Sequence, residues 1–473
     1  MTGDRVPRSL PERSKPGRMF DRVGRGRPVP GNSVTLLHDS PKALEAMLAL
    51  IDSAQRWIHF DNYIFRDDAT GRRFADALIA RAEAGVAVRV LSDWLGSFGT
   101  GRRFWNRMRA AGVEVRLFGP PRLRSPLTFL SRNHRKMVIA DGAHAITGGI
   151  CIGDEWAGGA DGESLAWRDC AVRIDGPAAT VLDQAFARVW SVAGAGLPPE
   201  EQLTDVAPAG DAKVRVLAGE PGLSRMARMT ALVLAGAVSR VWITDAYMVA
   251  PLSIAEAMAD AARDGVDVRL LVPGSSDLPF IRNLTRTGYR ALLAAGVRIF
   301  EWNGPMLHAK TTVTDGTWAR IGSTNLNWSG LLGNWELDVV VEDPEVAAEM
   351  EMVFRRDLEL SAEVLSRPVR APEALKRLLP PALTIGRPEA GGVAHAPRRR
   401  ERNQRRLVTL RAVLTSARRA LFGTAALILM AMGVVAFLAP RITGLVLGVA
   451  SLVLALLALR GALRGDPELP GLE

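Results

Sequence analysis

The 473-residue chain holds only two cysteines, Cys151 and Cys170. They provide no disulfide framework and no metal-ligand spacing, so a reducing compartment is the default expectation. Lysine is almost as scarce: Lys15, Lys42, Lys136, Lys213, Lys310 and Lys376 are all there are, and the net charge of +10 rests on arginine. A basic surface suits an anionic partner, nucleic acid or acidic lipid, and charge alone does not choose between them. The N-terminal MTGDRVPRSLPERSKPGRMF lacks an apolar core, so no signal peptide is expected. With 48% hydrophobic and 23% charged residues, the composition excludes a wholly disordered chain.

What is present is alternation. Residues 1–32, rich in Arg, Pro and Gly, read as a disordered basic arm. Thereafter short β-branched runs alternate with amphipathic stretches. Strands are expected at Val34–Leu37, Trp57–Phe65, Ala87–Ser92 and Glu114–Phe118, and helices at Ala43–Ser53, Arg72–Ala84 and Gly101–Ala111. This is the pattern of an α/β fold with helices covering a largely buried sheet.

The same order then recurs. Trp57–Tyr63 (WIHFDNY) is echoed by Val241–Tyr247 (VWITDAY), and Gly85–Leu91 by Gly265–Leu271. Asp61 and Asp245 lie 184 residues apart, as do Gly112 and Gly296. A repeat this long, with Asp and Tyr at matched offsets, is an internal duplication rather than a solenoid. It divides the chain into halves at 33–195 and 205–365, joined by the Pro- and Ala-rich stretch Ala193–Ala212.

Beyond the second half, a basic linker over 366–419 carries Arg398–Arg400, Arg402, Arg405 and Arg406. Two uncharged apolar stretches, Ala420–Ala439 and Ile442–Leu459, close the chain. Each can cross about 30 Å of hydrocarbon at roughly 1.5 Å per residue. They are expected to form a transmembrane helical hairpin over 420–459. Arginines crowd both outer flanks, which places those flanks, and the catalytic part with them, on the cytoplasmic side.

Each half contains one copy of a short pattern. The first is His134-x-Lys136 with Asp141, followed by Gly148-Gly149-Ile150-Cys151; the second is His308-x-Lys310 with Asp315, followed by Gly322-Ser323-Thr324-Asn325. On a strand, residues two apart face the same side, so each His and Lys project together. Such a pair suits attack on a phosphodiester. One neutral imidazole can attack phosphorus and form a phosphohistidine, and a second, protonated, can donate to the leaving oxygen and later activate the acceptor. The lysines, Asn325 and the backbone amides of Gly148, Gly149, Gly322 and Ser323 are candidates to hold the non-bridging oxygens. No cofactor and no metal is called for. His38, His59, His144 and His395 read as ordinary core or surface residues.

These residues resemble the HxKxxxxD(x)nG[GS]xN signature of the phospholipase D superfamily, and are most similar to bacterial cardiolipin synthases and their phospholipase D-like relatives. The resemblance covers roughly residues 33–365. It is strengthened by Tyr63–Asp67 with Gly71, Gly149–Glu155, Trp167–Asp169, Pro273–Asp277, Gly322–Asn327 and Asn334–Glu336. It implies two αβα-layered halves related by a pseudo-twofold, with the active site between them. It further implies that Asp169 and Glu336 orient the histidines, while Asp141 and Asp315 serve the turns. Cys151 departs from the pattern, standing where the family usually has Asn.

The implied function is a membrane-bound phosphatidyltransferase acting on phosphatidylglycerol through a phosphatidyl-histidine, in the bacterial inner membrane. The expected partners are anionic phospholipid and the bilayer; nucleic acid and an obligate protein partner are not expected. A phospholipase D that hydrolyses the same intermediate to phosphatidic acid is the nearest alternative. A nuclease gains nothing from a membrane tether, and a pseudoenzyme scaffold is disfavoured because both motifs keep their His and Lys.

Overall fold

The computed structural model describes residues 15–24, 27–121, 131–159, 165–203 and 205–365, all within one unit, Met1–Ala390. The basic linker, the apolar pair over 420–459 and His395 lie outside the described residues. Among the described residues, no helix is long and apolar enough to cross a membrane.

The arm expected to be disordered is ordered in its second part. Lys15–Gly24 forms a helix, α1, and the first strand, β1, begins at Val29 and runs to Leu37. Phe20 and Val23 pack on the apolar cluster beneath α1, and Asp21 pairs with the buried Arg215 at 3.0 Å. These are tertiary contacts with residues nearly two hundred positions away, which composition alone does not register.

The first half continues with α2 (Ser40–Ser53), β2 (Trp57–Asn62), α3 (Ala69–Glu83), β3 (Ala87–Asp93), α4 (Arg102–Ala110) and β4 (Glu114–Phe118). The hairpin β5 (Lys136–Ala140) and β6 (His144–Gly148) follows, then the short α5 (Asp154–Ala157), β7 (Ala171–Asp175) and α6 (Pro177–Ala193). Local chemistry sets several of these boundaries. Asp39 caps α2 by accepting from Lys42 N at 3.0 Å, with Pro41 in the first turn. Asp68 caps α3 through Gly71 N at 2.8 Å. Such side-chain caps satisfy amides that a helix start leaves without partners. The α2 residues Leu44, Met47, Leu48 and Ile51 recur at helical spacing and are all buried against the sheet.

The second half repeats the plan: β8 (Ala212–Gly219), α7 (Arg225–Gly236), β9 (Arg240–Thr244), α8 (Leu252–Arg263), β10 (Asp267–Pro273), α9 (Pro279–Thr287), α10 (Tyr289–Ala294) and β11 (Arg298–Trp302). It ends with β12 (Thr311–Thr314), β13 (Trp318–Gly322), β14 (Glu336–Val341), α11 (Pro344–Glu359) and the short β15 (Ser361–Glu363).

The strand order makes the duplication explicit. From the middle outward the first half runs β1-β7-β6-β5-β2-β3-β4, and the second runs β8-β14-β13-β12-β9-β10-β11, with β15 added at its edge. The central pair, β1 and β8, is antiparallel and brief, holding Val29 opposite Val214 and Asn32 opposite Ala212. Within each half the outer strands β2-β3-β4 and β9-β10-β11 are parallel, and β5 and β12 run antiparallel to β2 and β9.

The halves also share a core. Met137, Ile139, Val172 and Ile174 of the first belong to one apolar cluster with Ile321, Leu337, Val339 and Val341 of the second, together with α6 and α11. Separate clusters lie under the outer helices of each half. The stretch between the halves does more than connect them. Glu201, in a 3-10 turn at Pro199–Glu201, is buried against His59 Nε2 at 3.1 Å and against Arg89. His59 is a core residue, with Asp183 on its other nitrogen.

Candidate active site

The two motif strands enter the site by the same route. His134 and Lys136 stand at the start of β5, and His308 and Lys310 just before β12. The backbone of each histidine is hydrogen-bonded to the opposite half. His134 N donates to Trp335 O at 2.9 Å, and Trp335 N to Arg132 O at 2.8 Å. In the counterpart, His308 N donates to Arg168 O at 2.7 Å, and Arg168 N to Met306 O at 2.9 Å.

Because Glu336 follows Trp335 and Asp169 follows Arg168, these crossed bridges deliver an acid to each ring. Glu336 Oε2 lies 3.0 Å from His134 Nδ1, and Asp169 Oδ2 lies 2.7 Å from His308 Nδ1. Each histidine is thus oriented by a carboxylate of the other half, with Nε2 left for chemistry. Arg135, fully buried between the motif residues, completes the joint by donating to Glu336 O at 3.1 Å, Ala185 O at 2.6 Å and Gly219 O at 2.9 Å.

Both acids are held in turn. Asp169 accepts from Trp156 Nε1 at 3.0 Å and from Cys170 N at 2.8 Å. Glu336 accepts from Ser323 Oγ and, at 3.3 Å, from Asn334 Nδ2. Lys136 and Lys310 each place one N–H on the carbonyl of their own motif histidine, leaving two donors apiece. Asn325 is buried, and its Oδ1 has no hydrogen-bond partner.

Burial and charge set the protonation. Desolvation, reinforced by Lys136 and Lys310, pushes His134 well below the usual histidine range. Desolvation and Lys310 bring His308 to about 4, against the pull of Asp169. Burial therefore favours the neutral ring at both positions, the form a nitrogen nucleophile requires, and the acid role falls to the ring that takes up a proton beside its carboxylate. The acids differ. Burial would raise Asp169, but His308, its hydrogen bond and Lys310 overcome this and hold it at about 2. Burial lifts Glu336 to about 7 despite Lys136 and Ser323. Desolvation also brings Lys310 down to about 8.

The motif aspartates lie at the turns, at the far ends of their strands. Asp141 accepts from Gln55 N, Arg56 N and Trp57 N at 2.7–3.0 Å, and Asp315 from Val238 N, Ser239 N and Arg240 N at 2.8–2.9 Å. Both have positive φ, 54° and 51°, which Asp tolerates better than most residues. They hold turns and do not touch the histidines.

The Gly-rich turns require a correction. Their amides were candidates to bind phosphate, but Gly149 N donates to Cys170 O, Gly322 N to Lys310 O and Ser323 N to Leu337 O. These donors belong to the fold. The glycines instead make room: a Cβ on Gly149 would stand 2.1 Å from Asp169 Oδ1, and one on Gly322 2.0 Å from Asp338 Oδ1. Gly148 passes the Cys170 carbonyl just as closely, at 2.4 Å for the same hypothetical atom. Ser323 Oγ faces Glu336.

The halves are not equivalent. Cys151 is fully buried opposite Asn325 in the repeat. Beneath the second turn, Arg320, Thr324 and Asp338 form a buried charged cluster. The matching residues of the first half, Ile146, Ile150 and Ala171, are apolar and buried.

Several residues around the histidines are not marked as site residues by the sequence alone. The ring of Tyr63 packs edge-on to His134 at 4.7 Å, and that of Tyr247 to His308 at 5.9 Å. Trp156 and Trp167 flank His308 at 5.3 and 5.8 Å. Asp61 and Asp245, buried behind the tyrosines, are raised by desolvation to about 7 and about 6. The matched Asp-x-Tyr offset in the two halves was the available signal for the two tyrosines and the two aspartates.

Comparison with known proteins agrees with this geometry. The family model described as the cardiolipin synthase phospholipase D-like domain matches residues 47–190 and 232–358. The major cardiolipin synthase ClsA of Bacillus subtilis (strain 168) is 30% identical over 367 residues, 74% of this chain and 76% of that protein. Cardiolipin synthase A of Pseudomonas entomophila (strain L48) is 31% identical over 366 residues, 76% of each chain. Among solved structures, the phosphatidylserine synthase of Haemophilus influenzae Rd KW20 superposes with a TM-score of 0.59 at 13% identity, covering 77% of this chain and 96% of that one. That likeness shows the fold. With its motif present twice, its acids crossed between the halves and its family match spanning both, this chain belongs to the phospholipase D-like family of the cardiolipin synthases.

Proposed function

We propose that this protein is a phosphatidyltransferase that joins two phosphatidylglycerols through a phosphatidyl-histidine. The observation that carries the proposal is the crossed pairing of His134 with Glu336 and of His308 with Asp169. Two oriented imidazoles from opposite halves supply one nucleophile and one acid. The relatives named cardiolipin synthase, similar over three quarters of the chain, favour a lipid acceptor over water.

In the first step, Nε2 of one histidine attacks phosphorus and the bond to the headgroup oxygen breaks. The second histidine, which enters the step protonated on Nε2 with its Nδ1–H on its carboxylate, gives that oxygen its proton, and glycerol leaves. In the second step, the now neutral second histidine takes the proton from a headgroup hydroxyl of another phosphatidylglycerol. The hydroxyl oxygen attacks phosphorus, the P–N bond breaks, and cardiolipin is released. Lys136, Lys310 and Asn325 hold the non-bridging oxygens, where charge builds in the transition state. Asp169 and Glu336 orient the rings.

The apolar stretches over 420–459 tether the enzyme to the bacterial inner membrane as two transmembrane helices, with the catalytic part on the cytoplasmic face. Their lack of charge and their arginine flanks support this placement. The test is to incubate the purified full chain with phosphatidylglycerol vesicles and separate the lipids. Cardiolipin with free glycerol supports the proposal. Phosphatidic acid as the main product replaces it with hydrolysis, and neither product removes both.

A further inference from the structure

We infer that two apolar rims flanking the two-histidine site dock it directly onto an anionic lipid leaflet; this rests on the lipid-substrate proposal above and adds the surface that meets the bilayer. The first rim is α9 and its approach. A surface helix normally buries one apolar stripe, yet no residue of α9 is buried. Phe280 is 75% exposed and shares its face with exposed Leu284 one turn on, while Leu278, just before the helix, is exposed as well. Arg282 and Arg286 of the same helix are held by Gly274 O and by Glu301, so the cationic partners for lipid phosphate come from the second rim.

The second rim is the loop after β3, the repeat counterpart of the loop after β10 that leads into α9. Leu95 is exposed there and Phe98 is 70% exposed, its ring edge-on to Trp94 at 5.1 Å. Exposed Arg102 and Arg103 stand just behind, at the start of α4. Clustered exposed apolar side chains of this size mark an interaction surface.

Each rim is one residue away from the ring that covers a motif histidine. Tyr247, packed on His308, donates its hydroxyl to Asp277, the residue before Leu278. Tyr63, packed on His134, has its carbonyl bonded by Ser97 Oγ at 3.3 Å, beside Phe98. Each rim is thus tied to a tyrosine packed on a motif histidine, one in each half of the site. A protein cap over both would close the mouth through which two lipid headgroups must pass. A bilayer does not: apolar tips enter the acyl boundary, arginines meet the phosphates, and the headgroup reaches the site while its chains stay in the membrane.

Cys151 and Cys170 are both fully enclosed, so a cysteine placed at the rim is the one a polarity-sensitive fluorophore reaches. Full-length Phe280→Cys carrying such a label is reconstituted with phosphatidylglycerol-containing vesicles and with phosphatidylcholine vesicles. Val238→Cys, 83% exposed at the opposite end of the parallel strands, is the reference. The label at 280 is expected to shift blue and to be quenched by brominated acyl chains, more so with phosphatidylglycerol, while the label at 238 is not. Equal emission at the two positions overturns the inference.

The double variant Phe280→Asp with Leu284→Asp is expected to lose at least tenfold turnover on vesicles and to keep wild-type turnover on monomeric short-chain phosphatidylglycerol. Unchanged vesicle turnover in that variant also overturns it. Should the wild-type protein convert neither lipid, the functional proposal falls, and the label at 280 still decides whether the rim enters the leaflet.

Discussion

Replacing Asp169 with Asn should damage catalysis far more than replacing Glu336 with Gln, although the two acids occupy matching places. Asp169 is held at about 2 from an ordinary 3.8. At about 1.36 kcal/mol per unit, its charged form is favoured by roughly 2 kcal/mol, a factor on the order of 50. Part of that pull comes from His308, and the same contact works against the desolvation and the Lys310 charge that keep the His308 ring low. The amide also fits poorly. Asp169 accepts from Trp156 and His308 on one oxygen and from Cys170 N on the other, so an NH2 must face an N–H.

Turnover of Asp169→Asn should therefore fall by at least about 50-fold, and by up to roughly 10⁴-fold if the proton transfer is lost. Glu336, lifted to about 7, already carries a proton much of the time near neutrality. Glu336→Gln imitates that form and should lose less than about tenfold at pH 6.5. The assay is cardiolipin formation in phosphatidylglycerol vesicles, with circular dichroism to confirm that both variants fold. A loss in Glu336→Gln equal to or greater than that in Asp169→Asn would show that the two acids do not differ in charge as their surroundings imply.

Gly149→Ala should reproduce the Asp169→Asn defect while remaining folded, because its Cβ would displace the Asp169 carboxylate; wild-type turnover would show that the carboxylate's position is immaterial. Asp141→Asn should keep most activity but melt lower, because an amide retains only some of the three backbone bonds that fix its turn. A lost reaction with an unchanged melting point would return Asp141 to the chemistry. Activity should decline as pH rises through about 8, where Lys310 loses its charge. The sign for stability is opposite. Between about 8 and 10.5 the unfolded chain holds the Lys310 proton and the folded chain does not, so this residue's contribution to stability rises with pH. A falling rate with no loss of thermal stability is the expected signature.

Much of this architecture was written locally. The β-branched runs, the Asp and Gly punctuation and the matched offsets of Asp61 with Asp245 and Tyr63 with Tyr247 place strands that the structure has within a few residues of expectation. The HxK spacing also revealed both motif pairs. What was hidden is tertiary. Nothing near Asp169 or Glu336 indicates that each acid crosses to the other half; that follows from the Asn133–Trp335 and Arg168–Leu307 bridges. The Gly-rich turns looked like phosphate cradles because glycine amides are accessible in isolation, yet the ladder uses them. Helix α1 resembled a disordered arm because its order comes from Arg215 and the cluster beneath it. Glu201 looked like linker until His59 and Arg89 were found beside it.

In the proposed reaction one motif histidine carries the phosphatidyl group while the other moves the proton. His134→Ala and His308→Ala, each mixed with labelled phosphatidylglycerol, quenched with alkali-stable, acid-avoiding handling and digested, should be read by mass spectrometry. Neither variant should turn over, and one of them should accumulate a phosphatidyl adduct on its remaining motif histidine. Wild-type turnover in either variant, or an adduct on any other residue, would contradict it.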